Sequence, residues 1–173
     1  MQVSEIHEPL SITIFTDGSC HSRSKAGGWA AMILIGENKI MLTGSNPNTT
    51  HHRMELTAVL ESLSYVQQEN LSHLHVIIYS DSQYVVDMLA RRGRLISSKY
   101  KTRQMKPVRN SDLVRHLMQF IQSSDIQFQK IKSHQKIHSV ESLHNREVDF
   151  LSRQKMRELN DASIPQTNGT SFP

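Results

Sequence analysis

Four acidic residues interrupt or border segments that are otherwise apolar, and they restrict how this chain can fold. They are Asp17 in Phe15-Thr16-Asp17-Gly18-Ser19, Glu55 in Arg53-Met54-Glu55-Leu56, Asp81 in Tyr79-Ser80-Asp81-Ser82-Gln83-Tyr84, and Asp149 in Glu147-Val148-Asp149-Phe150-Leu151. A carboxylate in such a setting costs free energy unless a positive charge compensates it. Hard divalent cations are the usual compensation, because Mg²⁺ takes oxygen ligands. The four sites together suggest a metal cluster that folding assembles.

The hydrophobic pattern gives each acid a place. Ser11 to Phe15, Trp29 to Ile35 and Ile40-Met41-Leu42 read as three strands of an antiparallel meander, with Gly36-Glu37-Asn38-Lys39 as the turn between the last two. Leu56, Val59, Leu60, Leu63 and Val66 then follow helical spacing, with Thr50 as N-cap and Asn70 as stop. Glu55 falls one turn before Val59, at the margin of the apolar stripe. Leu74 to Tyr79 is the strongest buried-strand candidate, and it ends in Ser80-Asp81. Open α/β sheets place ligand sites at such carboxyl ends. A helix is expected from about Ser82, another over Asp112 to Ile121, and a final strand over Ile126 to Ile131. A polar, histidine-rich loop then runs from Ser133 to His144. The last helix is expected from Asn145 to about Leu159, with Val148, Leu151 and Met156 inward.

Bulk properties narrow the class. With 173 residues, the chain suits one compact domain with short tails. Residues 1–10 read as a lead-in, 11–160 as the folded domain, and 161–173 as a disordered tail rich in Ser, Thr, Asn, Gly and Pro. No apolar run approaches a membrane span, and Met1 to Glu5 lacks the order of a signal peptide. The lone Cys20 excludes an internal disulfide and fits a reducing, cytoplasmic setting. An idle thiol is the favoured reading of Cys20 over a nucleophile. The formal net charge is +4, yet Met88 to Ser111 holds eight cations and no acid, so the rest of the chain nets −4. That run, Arg91, Arg92, Arg94, Lys99, Lys101, Arg103, Lys106 and Arg109, suits a phosphate backbone.

The order β-β-β-α-β-α-α-β-α, with acids on the first strand, first helix, fourth strand and last helix, resembles the type 1 ribonuclease H family. The resemblance covers about Ser11 to Leu159. Its specific pieces are Thr16-Asp17-Gly18-Ser19, Arg53-Met54-Glu55-Leu56, Ser80-Asp81-Ser82-Gln83-Tyr84-Val85, Lys106-Pro107-Val108-Arg109-Asn110 and Lys132-Ser133-His134. It implies an α/β ribonuclease H-like fold, a five-stranded mixed sheet with helices on both faces. It also implies a monomeric endonuclease that cleaves the RNA strand of RNA/DNA hybrids, leaving 5′-phosphate and 3′-hydroxyl ends. Asp17, Glu55, Asp81 and Asp149 are then the catalytic, metal-binding acids. Two Mg²⁺ ions, or Mn²⁺ in their place, would be bridged by Asp17. One would be shared further with Asp149, the other with Glu55 and Asp81.

Further residues follow from the same resemblance. His134 matches a mobile histidine that helps move protons or release product. The stretch before Asp149 is longer than in bacterial relatives and also holds His138 and His144, so which of the three serves the site stays open. Thr50, His51, His52 and Gln83 match groove-contacting positions, with His51-His52 standing where an Asn pair is usual. Arg91, Arg92, Arg94, Lys99, Lys101 and Arg103 lie where relatives carry a basic protrusion, which would grip DNA phosphates. Two rivals share the fold. Proofreading 3′ exonucleases place a second acid where this chain has Ser19, and transposase or integrase cores typically end on Glu where it has Asp149. A third rival, a non-catalytic RNA/DNA hybrid-binding module, would be expected to have lost acids that are all retained here.

Overall fold

The computed structural model of the chain describes residues 11–131 and 139–163. Five strands and four helices follow the predicted order. They are β1 (Ser11–Cys20), β2 (Gly27–Ile35), β3 (Asn38–Asn46), α1 (His51–Gln68), β4 (His75–Ser80), α2 (Gln83–Ser97), α3 (Ser111–Ser123), β5 (Ile126–Lys130) and α4 (Val140–Ala162). The strands form one sheet in the order β3-β2-β1-β4-β5. The meander pairs antiparallel, whereas β4 runs parallel to both β1 and β5. The sheet is therefore mixed, with β1 at the junction of its two halves.

Alternation along β1 divides the core. Ile12 and Ile14 face one way, into a cluster with Leu56, Val59, Leu63, Val85, Leu117 and Met118 from α1, α2 and α3. Phe15 faces the other way, against Met32 and Val148 of α4. Helices thus cover both faces. Two glycines let them approach closely. A Cβ on Gly18 would stand 2.3 Å from the Glu55 backbone nitrogen, and one on Gly28 would stand 2.2 Å from the Ser152 carbonyl oxygen.

Several boundaries differ from the pattern reading. The strand β1 continues through Asp17 to Cys20, because Asp17 to Cys20 pair with Gly27 to Ala30. The turn after β2 is only Gly36-Glu37, since Ile35 already pairs with Asn38, and Gly36 supplies its positive φ. Helix α4 starts at Val140, with the Ser139 hydroxyl accepting the Ser142 amide. His144 is therefore helical rather than in a loop. The other end of α4 runs to Ala162, so Asp161 and Ala162 are helical where a tail was expected. Arg91, Arg92 and Arg94 lie on α2, while Lys99, Lys101 and Arg103 occupy the irregular stretch after it. Thr50 does cap α1, and Asn70 takes a positive φ just beyond its end. Among the described residues, no helix is long and apolar enough to cross a membrane.

Candidate active site

Three of the four acids line one open cleft near the carboxyl end of β4 and the adjoining part of β1, strands in the interior of the sheet. The parallel register aligns Thr16 with Ser80, so the next residues, Asp17 and Asp81, emerge side by side from neighbouring strands. Asp149 comes from α4, which packs across β1 and β2. Asp17, Asp81 and Asp149 line the cleft together with His51, Cys20 and Arg153. Glu55 sits on α1 beneath His51 and is almost wholly buried, at 6% exposure.

The carboxylates of Asp17, Glu55 and Asp149 have protein donors. The buried Ser152 hydroxyl donates to Asp17 Oδ2 across the sheet. Glu55 Oε2 accepts from Ser82 Oγ at 2.7 Å and lies 3.1 Å from His52 Nδ1. Its other oxygen lies 3.0 Å from His51 Nε2. Asp149 pairs with Arg153 Nε at 2.7 Å, one turn along α4. The Lys130 ammonium donates to the Asp81 backbone carbonyl.

Burial and crowding set the charges. Burial pushes the Asp17 carboxyl up to about 7; Ser152 opposes this, while Asp81 and Asp149 add to it. Asp81 is raised too, by burial first and then by the charge of Glu55. Burial works to raise Glu55 as well, but hydrogen bonds from His51 and Ser82 outweigh it and hold the group below its ordinary range. His51 is raised, chiefly by its hydrogen bond to Glu55. Burial and like-charge crowding thus both disfavour the charged forms of Asp17 and Asp81.

The donor set fits a hard divalent cation: the carboxylates of Asp17, Asp81 and Asp149 face one cleft, with Glu55 buried behind His51. Three buried oxygens nearby have no hydrogen-bond partner among the described residues: Thr16 Oγ1 and Ser19 Oγ, flanking Asp17 on β1, and Asn145 Oδ1, one turn before Asp149. The set is open as it stands. Among the described residues, no three His, Cys, Asp or Glu side chains close around one point.

The flanks of the cleft are built from helix starts. Thr50 Oγ1 accepts the Arg53 amide. The His52 ring stacks on Tyr84 at 4.4 Å between centroids, joining α1 to α2. Gln83 is exposed and donates to Asp87 at 2.7 Å. Arg91, Arg94, Lys101 and Arg103 gather around a second cleft with Leu95 and Val108; Arg92 and Lys99 are not among its lining. The Cys20 thiol donates to the Thr49 carbonyl at 3.4 Å, and burial pushes it up. It is thus a packed, unactivated thiol. His134 and His138 fall outside the described residues, while the His144 ring packs on Phe15 at 5.0 Å.

Sequence reasoning passed over Ser82, Ser152, Tyr84 and Arg53. Ser82 sits inside a quoted motif, and its place before an apolar helix is an N-cap signal. Arg53 binds Asp112 through two contacts, at 3.0 and 2.7 Å, tying the starts of α1 and α3. Ser152 reaches Asp17 over a separation of 135 residues, and no local pattern announces that.

The chain and its fold are similar to known proteins. The RNase H family model matches residues 9–157. Ribonuclease H of Chlorobium luteolum is 36% identical over 149 residues, spanning 84% of this chain and 95% of that protein. Ribonuclease H of Moorella thermoacetica is 33% identical over 159 residues, 90% of this chain and 98% of that one. Among solved structures, LC9-RNase H1, described as a type 1 RNase H with the type 2 active-site motif, superposes with a TM-score of 0.74 at 18% identity, covering 87% of this chain and 74% of that one. LC11-RNase H1, solved in complex with an RNA/DNA hybrid, gives 0.63 at 17% identity, covering 87% and 99%. With a family match over most of its length and relatives above 30% identity, the chain belongs to the ribonuclease H family.

Proposed function

We propose that this chain hydrolyses the RNA strand of RNA/DNA hybrids in the cytoplasm, as a monomer, leaving 5′-phosphate and 3′-hydroxyl ends. The observation that carries the reading is the meeting of Asp17, Asp81 and Asp149 at one cleft, with Glu55 directly behind. These four carboxylates would hold two Mg²⁺ or Mn²⁺ ions. When bound, the ions supply an acidified water and charge neutralisation at the departing oxygen. The chain's own part is positional. Ser152 fixes the Asp17 carboxylate, Ser82 fixes Glu55, and the sheet holds Asp17 beside Asp81. Preorganised groups of this kind lower the cost of reaching the transition state.

Thr50, His51, His52 and Gln83 would meet the hybrid's minor groove, where RNA displays its 2′-hydroxyls. Arg91, Arg92, Arg94, Lys99, Lys101 and Arg103 would hold DNA phosphates at a distance from the acids. His134 would carry protons, an imidazole being suited to that near neutral pH. The packed thiol of Cys20 supports a reducing compartment.

The test is hydrolysis of an end-labelled hybrid in Mg²⁺, with Asp17→Asn beside the wild type. Cleavage of the RNA strand alone, lost in the variant, is expected. No wild-type cleavage, together with hybrid binding indifferent to chelator, would instead identify a non-catalytic hybrid-binding module.

A further inference from the structure

Three features of this chain fall outside that scheme: the basic cleft on α2, the exposed Val140, Leu143 and Phe150 of α4, and the two histidines on Glu55. The first continues the phosphate grip already described. The second has nothing in the structure to indicate what covers it. The histidine pair carries an inference.

We propose that His51 is a ligand of the divalent cation at Glu55, making this a mixed nitrogen–oxygen site that favours first-row transition-metal ions over Mg²⁺. The proposal rests on reading the acids as the cation site, and it moves His51 from the groove contacts to the ion. His51 and Glu55 stand four residues apart on α1, so both project from one helix face. That is the spacing with which a helix offers two ligands to one ion. The two donor atoms, His51 Nε2 and Glu55 Oε1, are 3.0 Å apart. Two ligands at right angles on an ion, each bonded at about 2.1 Å, lie roughly 3 Å apart.

The surroundings assign the roles. Glu55 Oε2 is already occupied by Ser82 Oγ and His52 Nδ1, which leaves Oε1 for the ion. His51, not Glu55, lines the cleft beside Asp17, Asp81 and Asp149. Its side chain is 57% exposed, against 7% for that of Glu55. His52 cannot exchange with His51, since its ring is held against Tyr84 at an interplanar angle of 12°. Imidazole prefers transition-metal ions, whereas oxygen-only sites suit Mg²⁺.

The test uses the full chain without nucleic acid. Electron spin-echo spectra of bound Mn²⁺ should show coupling to a histidine nitrogen in the wild type and in His52→Asn, and none in His51→Asn. Calorimetry should show the Co²⁺-to-Mg²⁺ affinity ratio falling about tenfold or more in His51→Asn. Coupling that is absent from the wild type, or that survives His51→Asn, overturns the proposal, as does an unchanged ratio. Hybrid cleavage in Mg²⁺ is assayed in parallel. Cleavage without nitrogen coupling removes only the His51 ligand, whereas no ion binding and no cleavage remove the cation site as well.

Discussion

Asp17 pays most heavily for the site's geometry. It is 8% exposed and faces two other acids across the cleft. The folded state holds its proton more tightly than the unfolded chain does. Its stability contribution is therefore complete below the unfolded value of 3.8 and is lost as pH rises to about 7. In chelator, Asp17→Asn should be more stable than the wild type near pH 8, by on the order of a few kcal/mol, with the gap narrowing as pH falls through this window. Urea titrations across that range check it, and a constant gap would refute the argument. The neighbouring Gly18 is constrained sterically. A Cβ there would stand 2.3 Å from the Glu55 nitrogen and 2.4 Å from the Met54 carbonyl carbon. Backbone atoms cannot step aside as a side-chain tip can. Gly18→Ala should cost about 1–3 kcal/mol or more in denaturant unfolding. It should reduce hybrid cleavage beyond that loss, because the start of α1 must shift.

Among the elements, α2 and α1 share one hydroxyl. Ser82 caps α2 by accepting the Val85 amide and donates to Glu55 at 2.7 Å. Two substitutions separate these tasks. Ser82→Ala loses both, whereas Ser82→Gly preserves most of the capping preference. Unfolding should thus cost roughly 1 kcal/mol less for Gly than for Ala, while metal affinity by calorimetry falls alike in both. The elements were also the most legible level of the sequence. The α1 stripe, the buried β4 and the Thr50 cap are local patterns with periods of their own, and they lie where the pattern put them. The ends of β1 and α4 were not legible, because pairing with Gly27 to Ala30 and the Ser139 cap set them rather than any apolar period. The four acids stand in motifs visible in the sequence, and the fold brings three of them to one cleft. Ser152, which grips one of them, was not legible, since a serine on a helix face resembles any solvated one until the fold brings it to Asp17.

At the scale of the whole molecule, the charges segregate. The acids crowd one cleft, and Arg91, Arg94, Lys101 and Arg103 crowd another. Saturating Mg²⁺ should relieve the acid cleft and raise the melting temperature. An ion at a hundred times its dissociation constant adds about 2.7 kcal/mol, or roughly 5–10 °C for a chain of this size. Differential scanning calorimetry with and without Mg²⁺ measures it, and Asp17→Asn should abolish the rise. Neutralising Lys101 and Arg103 together should lower the salt dependence of hybrid binding by about two phosphate contacts. Fluorescence anisotropy over a range of NaCl concentrations reads that slope, and an unchanged slope would place the phosphate grip elsewhere.

The bond from Ser152 to Asp17 joins residues 135 positions apart. A growing chain emerges amino end first and folds as it comes. The sheet and α1 to α3 are complete in sequence while α4 is still being made. Until that helix emerges and docks, Asp17 lacks its donor and the cleft lacks Asp149. The acids therefore come together only once α4 has docked on the sheet.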